Sequence, residues 1–339
     1  MAPAQSNMTN LNRRRFITIT AGAATAFATG ALEARSTSTV QWNGVAMGAD
    51  ASLVLIHADR GISNQALKAC IDEILRLEMT LSLYEPESDL SRLNRDGVLE
   101  HPSIDFVHCL SRAHAVSERS RGAFDVTVQP LFEYYRAHFA EHPNNAVGLD
   151  QCELAKIRSL VNFRNIRITA QEISFRRNGM AVTLNGIAQG YVCDRVTGLL
   201  RRFGFHSAMV NLGEIATLGN APDGRPWSVG ILNPVAREGA FLEKAHLSGR
   251  AMATSSPKGY MFDNAGRYHH LFDPRSGRVS NQYQSVTVAA PSATLADGLS
   301  TAMASMTRDE IKAVLTKTAN LDVILLDAKG RHGYLNSKG

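Results

Sequence analysis

The order of strand and helix patterns along the chain constrains its fold more than any other feature of the sequence. Apolar residues alternate over residues 39–58, as in a pair of strands, and then recur at helical spacing to about residue 82, with Ser63 as a candidate N-cap. Further helices are predicted near 104–120, 128–139, 190–203, 293–306 and 308–317, and further strands near 172–176, 181–184, 207–212, 227–232 and 321–327. Helices and strands are mixed without strict βαβ alternation, so the sequence predicts an α+β fold of mixed helices and largely antiparallel sheets.

The N-terminal segment has the pattern of an export signal. Arg13, Arg14 and Arg15 precede an uncharged stretch, residues 17–32, that is rich in Ala, Gly and Thr. A charged segment followed by a weakly apolar one is typical of secretory signals, and paired arginines followed by x-Phe-Ile match the twin-arginine form. A buried N-terminal helix is the alternative, but β-branched Thr and repeated Gly make a poor helix.

This signal defines the expected domain organisation and location. Cleavage after small residues is expected after Ala28 or after Ala34. We take residues 1–34 as a twin-arginine signal peptide and residues 35–339 as a single domain. The protein is therefore expected in the periplasm.

Charge and hydropathy argue against nucleic acid and against a membrane span. The formal net charge is +5, and removing residues 1–34, which hold a net +2, leaves about +3. No basic run interleaved with aromatic residues is present, so no nucleic-acid partner is expected. No run of 18 or more apolar residues follows the first 40 positions, so no transmembrane span is expected in the mature chain.

The four cysteines are widely and irregularly spaced. Cys70, Cys109, Cys152 and Cys193 form no CxxC pair, which argues against a zinc site. Cys70 and Cys109 fall in helical patterns and are expected as buried apolar residues, while a disulfide in an oxidising compartment stays open.

An aspartate and a threonine near the C-terminus have the chemistry of a metal site. Asp297 and Thr301 are four residues apart, so on a helix they share one face. Carboxylate and hydroxyl oxygens suit a hard cation such as Mg²⁺. The pair taken alone is more typical of a solvated face or a local hydrogen bond. Its flanks are almost wholly apolar, however, and a buried aspartate needs a partner, which a metal ion would supply.

Two other segments carry groups suited to phosphate. The turn Asn185–Gly190 opens a predicted helix, and glycine-rich turns there expose N–H groups to phosphate, although a plain strand-to-helix turn is the alternative. The loop His269–Gly277 gathers His270, Asp273 and Arg275. Either His270 or Arg275 could face phosphate oxygens, or the loop could be a structural turn.

An aromatic residue lies where a helix gives way to a polar, turn-rich loop. Tyr84 precedes this loop, which extends to Asn94, and it could stack on a planar ligand or cap the core.

Seven short segments, taken together and in order, resemble the ApbE family of FAD:protein FMN transferases. The resemblance runs from about Met47 to Leu325. The segments are Met47-Gly48, Leu81–Tyr84, Ala123–Asp125, Gly186–Gly190, Asn211–Gly213, His270–Gly277 and Ala296–Thr301.

The resemblance implies a T-fold-like architecture, a reaction and a set of site residues. Asp297, Thr301 and the backbone carbonyl of Ala188 match the family's Mg²⁺ ligands. The positions that match the lining of the FAD site are Met47, Tyr84, Ala123, Phe124, Asp125, Gln189 and His270. The implied reaction is attack by a threonine hydroxyl of an acceptor flavoprotein on the FMN-side phosphorus of FAD, with release of AMP. His270, as the base that takes the threonine proton, and Asp297 are the expected catalytic residues.

The chain departs from the family pattern at several positions. Gln189 stands where the family usually has Lys, Ala49 where it has Thr, and Glu214 follows one Gly rather than two. Losing a lysine beside the pyrophosphate would weaken FAD binding or catalysis. Two other functions therefore stay open: a metal-dependent FAD pyrophosphatase, and a non-catalytic periplasmic FAD-binding protein.

Overall fold

The computed structural model describes residues 17–18, 38–144, 148–236 and 239–337. The predicted signal peptide therefore lies outside the described residues, apart from Ile17–Thr18, which form a two-residue strand. Within the described ranges, no helix is both long and apolar enough to cross a membrane.

Helices and short strands are interspersed along the chain. The helices are α1 (Arg60–Leu81), α2 (Asp89–Asp96), α3 (Ile104–Arg119), α4 (Gln129–Glu141), α5 (Gln151–Arg158), α6 (Ala188–Arg202), α7 (Ala293–Met303) and α8 (Arg308–Leu315). The strands are β1 (Ile17–Thr18), β2 (Ser38–Ala46), β3 (Ala49–His57), β4 (Val98–Glu100), β5 (Ile166–Ile168), β6 (Glu172–Phe175), β7 (Ser207–Asn211), β8 (Ile215–Leu218), β9 (Trp227–Leu232), β10 (Phe241–Leu247), β11 (Ala251–Ser255), β12 (Phe272–Asp273), β13 (Arg278–Val279), β14 (Tyr283–Ala290), β15 (Asp322–Asp327) and β16 (His332–Asn336).

An eight-stranded sheet forms the centre of the fold, in the order β16-β15-β14-β11-β8-β7-β3-β2. Every neighbouring pair in it is antiparallel. Ser52 pairs with Asn211, Asn211 with Ile215, and Ile215 with Met252. This register brings the β2–β3 turn, the β7–β8 turn and the end of β11 to one end of the sheet, which we call the site end.

The two faces of the sheet are covered differently. Along β3, Ala51, Leu53 and Leu55 belong to the main core, against which helices α1, α6 and α7 pack. Val54 and Ile56 alternate with them and point to the other face, where they meet residues of β9 and β10. The strand alternation predicted from the sequence therefore separates a helical layer from a second β layer.

A buried ionic network joins three of the helices. Asp105 on α3 accepts hydrogen bonds from the Tyr191 hydroxyl on α6 (2.8 Å) and from Arg76 on α1 (2.7 Å). Arg195 on α6 lies 3.4 Å from the same carboxylate. Burial would raise the pKa of Asp105, but these bonds and charges outweigh it and hold the pKa below its ordinary value. The network fixes the start of α6, which carries part of the site.

The α+β class and the largely antiparallel sheets are confirmed. Three local predictions are wrong. The segment predicted as a loop to Asn94 contains part of helix α2. Helix α1 begins earlier than expected, because Asp59 rather than Ser63 caps it and accepts from the N–H groups of Gly61 (2.6 Å) and Ile62 (3.2 Å). Residues 181–184 are not a strand, because the Asn94 side chain bonds both the N–H (2.7 Å) and the C=O (2.8 Å) of Val182.

The cysteines are free thiols, so no disulfide forms among them. Cys70 and Cys109 are buried, as predicted, and Cys193 is buried as well, whereas Cys152 is exposed.

Candidate active site

The two predicted ligand-bearing segments meet where helix α6 packs against helix α7. Asp297 lies one turn inside α7 and is only 4% exposed. Its Oδ2 accepts a hydrogen bond from the backbone N–H of Gly190, in the first turn of α6, at 3.0 Å. This bond satisfies one of the N–H groups that a helix start leaves open, and it puts a carboxylate at the positive end of the α6 dipole.

The glycine-rich turn lies directly against α7. A Cβ atom at Gly190 would lie 2.8 Å from the Cβ of Asp297, and one at Gly186 would lie 2.9 Å from the Thr301 hydroxyl oxygen. Both distances are shorter than van der Waals contact, so these two positions require glycine. The structure therefore brings Asp297, Thr301 and the turn before Ala188 together.

The oxygen donors of this junction fit a hard divalent cation. Besides the Asp297 carboxylate, the Thr301 hydroxyl lies 3.3 Å from the hydroxyl of Ser255, which is 2.8 Å from that of Ser300. Ala188 is the first residue of α6, and its carbonyl has two lone pairs, so it can accept from its own helix and still face a ligand.

Of the predicted ligands Asp297, Thr301 and Ala188, only Asp297 supplies a carboxylate. No group of three or more His, Cys, Asp or Glu residues able to hold a metal occurs in the described part of the chain. One carboxylate with neutral oxygens suits Mg²⁺ that completes its coordination with water and substrate phosphates, rather than a cation held by the protein alone.

Gln189 lies beside the metal-candidate pair and against the β7–β8 turn. It is 9% exposed, and a Cβ at Gly213 would lie 2.6 Å from its side-chain nitrogen. Gly213 has a φ of +100°, a conformation that glycine tolerates and other residues rarely adopt. Gln189 thus connects α6 to the site end of the sheet.

Met47 and Gly48 form the two-residue turn between β2 and β3. Their φ values are +51° and +68°, as in a type I′ hairpin, which favours Asn and Gly. A methionine with positive φ is uncommon, and such residues concentrate at functional sites. This turn lies at the site end of the sheet, where the resemblance expects it to line the FAD site.

His270 is held by the backbone of the loop that precedes it. Its Nδ1 lies 3.1 Å from the carbonyl oxygen of Tyr260, and its backbone N–H donates to the same oxygen at 3.1 Å. Because a carbonyl oxygen only accepts, Nδ1 carries the proton in the neutral ring and Nε2 carries the lone pair. This is the tautomer that a general base needs.

Tyr84 lies just after helix α1, where its backbone N–H donates to the Ser82 hydroxyl at 3.0 Å. Its side chain is 66% exposed. Burial raises the pKa of Tyr260, while Arg136 lowers it and Tyr84 raises it further. Contact of Tyr84 with FAD stays a prediction.

The Ala123–Asp125 segment is buried and mainly structural in its contacts. Asp125 accepts from the backbone N–H groups of Thr127 (2.8 Å) and Phe163 (2.9 Å), and burial raises its pKa despite these bonds. The ring of Phe124 reaches the site, because a Cβ at Gly186 would lie 3.3 Å from it. FAD contact by Ala123 and Asp125 stays a prediction.

Arg275 does not face a phosphate site in this structure. Its guanidinium bonds Asp273 at 2.8 Å, the Glu310 carboxylate of α8, and the Ser305 carbonyl at 3.3 Å. It therefore ties the His270 loop to α8, and contact of His270 with phosphate or acceptor stays a prediction.

Sequence reasoning missed Asp194, one turn after Gly190. Its carboxylate accepts from the N–H groups of Ala293 (2.8 Å) and Thr294 (2.9 Å) at the start of α7. Its spacing of four residues from Gly190 could have indicated that the two share a helix face. The partners of Asp194, however, lie 99 and 100 residues away along the chain.

Comparison with known proteins gives a consistent result. The family model described as the ApbE family matches residues 47–325. An FAD:protein FMN transferase of Haemophilus influenzae is 30% identical over 268 residues, which cover 76% of this chain and 77% of that protein. One from Vibrio cholerae is 29% identical over 301 residues, covering 87% and 89%.

Solved structures agree with the fold. The flavin transferase ApbE from Vibrio cholerae superposes with a TM-score of 0.75 at 26% identity, covering 88% of this chain and 97% of that one. The ApbE protein of Thermotoga maritima gives the same TM-score at 24% identity, covering 87% and 96%, and supports the fold alone.

Proposed function

The chain belongs to the ApbE family, and from this membership we propose that it is an FAD:protein FMN transferase. It would cut FAD and leave FMN attached to an acceptor flavoprotein. The observation that carries the proposal is the α6–α7 junction, where a buried Asp297, the Thr301 hydroxyl and a glycine-rich helix start meet beside the site end of the sheet.

The reaction is a phosphoryl transfer with a threonine as nucleophile. The threonine oxygen forms a bond to the FMN-side phosphorus, and the bond from that phosphorus to the bridging oxygen breaks. AMP leaves with the bridging oxygen, and the threonine proton goes to His270 Nε2. The contact between Nδ1 and the Tyr260 carbonyl holds the ring in the tautomer that can accept this proton.

Asp297, Thr301 and the Ala188 carbonyl are proposed to hold Mg²⁺. When bound, the cation supplies positive charge to the pyrophosphate oxygens and to the leaving AMP. The Gly190 N–H fixes one oxygen of Asp297 and thereby the direction of its carboxylate. Met47, Tyr84 and Gln189 are proposed to contact FAD, as the family resemblance implies. Met47 and Gln189 lie at the site end of the sheet.

The twin-arginine pattern supports export of the enzyme. Residues 1–34 are proposed as the signal peptide and residues 35–339 as one periplasmic domain, which would act on an exported acceptor. A fusion of residues 1–40 to a reporter tests this: Arg13→Lys with Arg14→Lys should stop its export, and unchanged export would contradict the signal assignment.

The activity is tested with FAD, Mg²⁺ and a threonine-bearing acceptor, next to the same acceptor carrying valine in place of the threonine. Flavin fluorescence that stays with the threonine acceptor after denaturation supports transfer. Free FMN and AMP without labelled acceptor indicate a pyrophosphatase, and unchanged bound FAD indicates a carrier.

Asp297→Asn tests the metal assignment, because it keeps the side-chain shape while removing the charge. We expect transfer to fall by about a hundredfold or more, as when a charge that stabilises a transition state is removed. Circular dichroism checks that the variant is folded. Unimpaired transfer by a folded variant would contradict the role of Asp297.

A further inference from the structure

Helices α6 and α7 hold each other by exchanged carboxylates. Asp297, four residues after the start of α7, accepts from Gly190 N–H at the start of α6. Asp194, four residues after Gly190, accepts from the N–H groups of Ala293 and Thr294 at the start of α7. Each helix therefore caps the other.

Asp194 accepts three hydrogen bonds from the start of α7. Its Oδ1 takes the Ala293 N–H at 2.8 Å, and its Oδ2 takes the Thr294 N–H at 2.9 Å and the Thr294 hydroxyl at 2.5 Å. The local cap of α7, Ser292, makes one longer bond, to the Leu295 N–H at 3.3 Å. A carboxylate of another helix thus does most of the capping.

The backbones of α6 and α7 lie very close together where the two helices cross. A Cβ at Gly190 would clash with the Ala293 carbonyl oxygen and lie 2.7 Å from its carbon. Ala293 is one of the residues that Asp194 holds. The position of Asp297 relative to the α6 start is therefore set by two contacts four residues apart on each helix, one at Gly190 and one at Asp194.

We propose that Asp194 is a positioning residue of the FMN-transfer site, which fixes α7 against α6 so that Asp297 and Thr301 meet the Ala188 turn in ligand geometry. The inference rests on the proposed function, because the group to be positioned is the proposed Mg²⁺ site. Asp194 touches neither substrate nor metal in this role. It acts through the register of the two helices.

The alternative is that Asp194 only stabilises α7. The chain offers a matched control for that possibility. Asp150 likewise accepts two backbone N–H groups, of Cys152 (2.8 Å) and Glu153 (3.1 Å), but at the start of its own helix α5, which carries no proposed site residue. Asp150→Ala should lower Tm through a lost cap without changing metal binding.

The test measures Mn²⁺ binding to the full mature chain by electron paramagnetic resonance, without FAD, alongside Tm. The series is Asp194→Ala, Asp194→Asn and Thr294→Ala, with Asp150→Ala and Asp297→Asn as controls. We expect Asp194→Ala to weaken Mn²⁺ binding about tenfold, the usual effect of losing a group that orients a ligand. Thr294→Ala, which removes one of the three bonds, should have the smallest effect, and Asp194→Asn should lie between.

Kinetics supply a second reading of the same variants. A positioning role predicts that the Mg²⁺ concentration for half-maximal transfer rises in step with the Mn²⁺ dissociation constant, and that saturating Mg²⁺ restores much of kcat. Mn²⁺ binding by Asp194→Ala equal to wild type would overturn the inference and leave the metal site intact. Mn²⁺ binding that Asp297→Asn does not change would overturn the metal site itself, and the inference with it.

Discussion

Replacing Gly190 by alanine tests whether the close contact between α6 and α7 outweighs the higher helix propensity of alanine. In the interior of an ordinary helix, alanine is favoured over glycine by about 1 kcal/mol. At Gly190, however, the added Cβ would lie 2.7 Å from the Ala293 carbonyl carbon and 2.8 Å from the Asp297 Cβ. Carbon atoms in contact ordinarily lie about 3.5–4.0 Å apart, so α6 and α7 would have to separate by roughly 1 Å.

The expected cost follows from that overlap. Forcing an extra methyl group into a packed region costs about 1–3 kcal/mol, and both obstacles here belong to or adjoin helix backbone, so the upper half of this range applies. After the gain in propensity, we expect Gly190→Ala to destabilise the protein by about 1–2 kcal/mol. Separating the helices also lengthens the Gly190–Asp297 hydrogen bond, so FMN transfer should fall by about tenfold or more.

The same substitution at Gly198, two turns further along α6, is the control. A Cβ there meets only the tip of the Arg202 side chain, at 3.9 Å, which is ordinary contact. Gly198→Ala should therefore stabilise the protein by about 0.5–1 kcal/mol and leave transfer unchanged.

Urea unfolding of both variants, with FMN transfer measured in parallel, decides the matter. The reasoning is refuted if Gly190→Ala is as stable and as active as Gly198→Ala, because the close crossing of α6 and α7 would then not exist in solution.

Two further predictions concern charge. Gln189→Lys adds a cation beside the proposed pyrophosphate site, so FAD should bind about fivefold more tightly, which corresponds to about 1 kcal/mol. Added salt should reduce this gain in affinity. Fluorescence quenching measures the affinity, and an unchanged value would contradict the placement of Gln189. Burial lowers the pKa of His269 below its ordinary value of 6.5, although the hydrogen bond with Asn281 opposes this. Below about pH 6.5 the unfolded chain therefore takes up a proton that the folded chain does not, and stability falls by up to about 1.4 kcal/mol per pH unit. Urea unfolding between pH 5 and 7 should show a shallower pH dependence for His269→Gln, and parallel curves for variant and wild type would refute the account.

The fold was predictable where one period dominated the sequence. The alternation around Leu53 and Leu55 and the helical repeat of α1 reflect burial on one side of a regular element, and both were recognised. Helix α2 was missed because only Leu90 and Leu93 are buried in it, too few to mark a period within a polar stretch. Residues 181–184 were predicted as a strand, but Val182 is bonded by the Asn94 side chain and not by another strand.

The same distinction holds for the site: relations between residues close in sequence were predictable, and contacts between distant segments were not. That Asp297 and Thr301 share a face follows from helical spacing, and the structure has both on α7. Their juxtaposition with Gly190 joins residues 107 positions apart, which no local pattern encodes. Arg275 shows the opposite failure, because a local cluster of charges suggested phosphate while Glu310, 35 residues away, takes the guanidinium.

The α6–α7 junction explains how a buried carboxylate is tolerated before a metal binds. Asp297 is nearly inaccessible, and burial of a lone carboxylate is costly. The Gly190 N–H and the positive end of α6 offset part of that cost, but a helix start contributes only about half an elementary charge. A divalent cation bound to Asp297 would offset more of that cost. Since this is the only carboxylate proposed as a ligand, the substrate's phosphates would strengthen binding of the cation. A junction of this kind favours metal and FAD binding together over either alone, and by linkage each must tighten the other by the same factor.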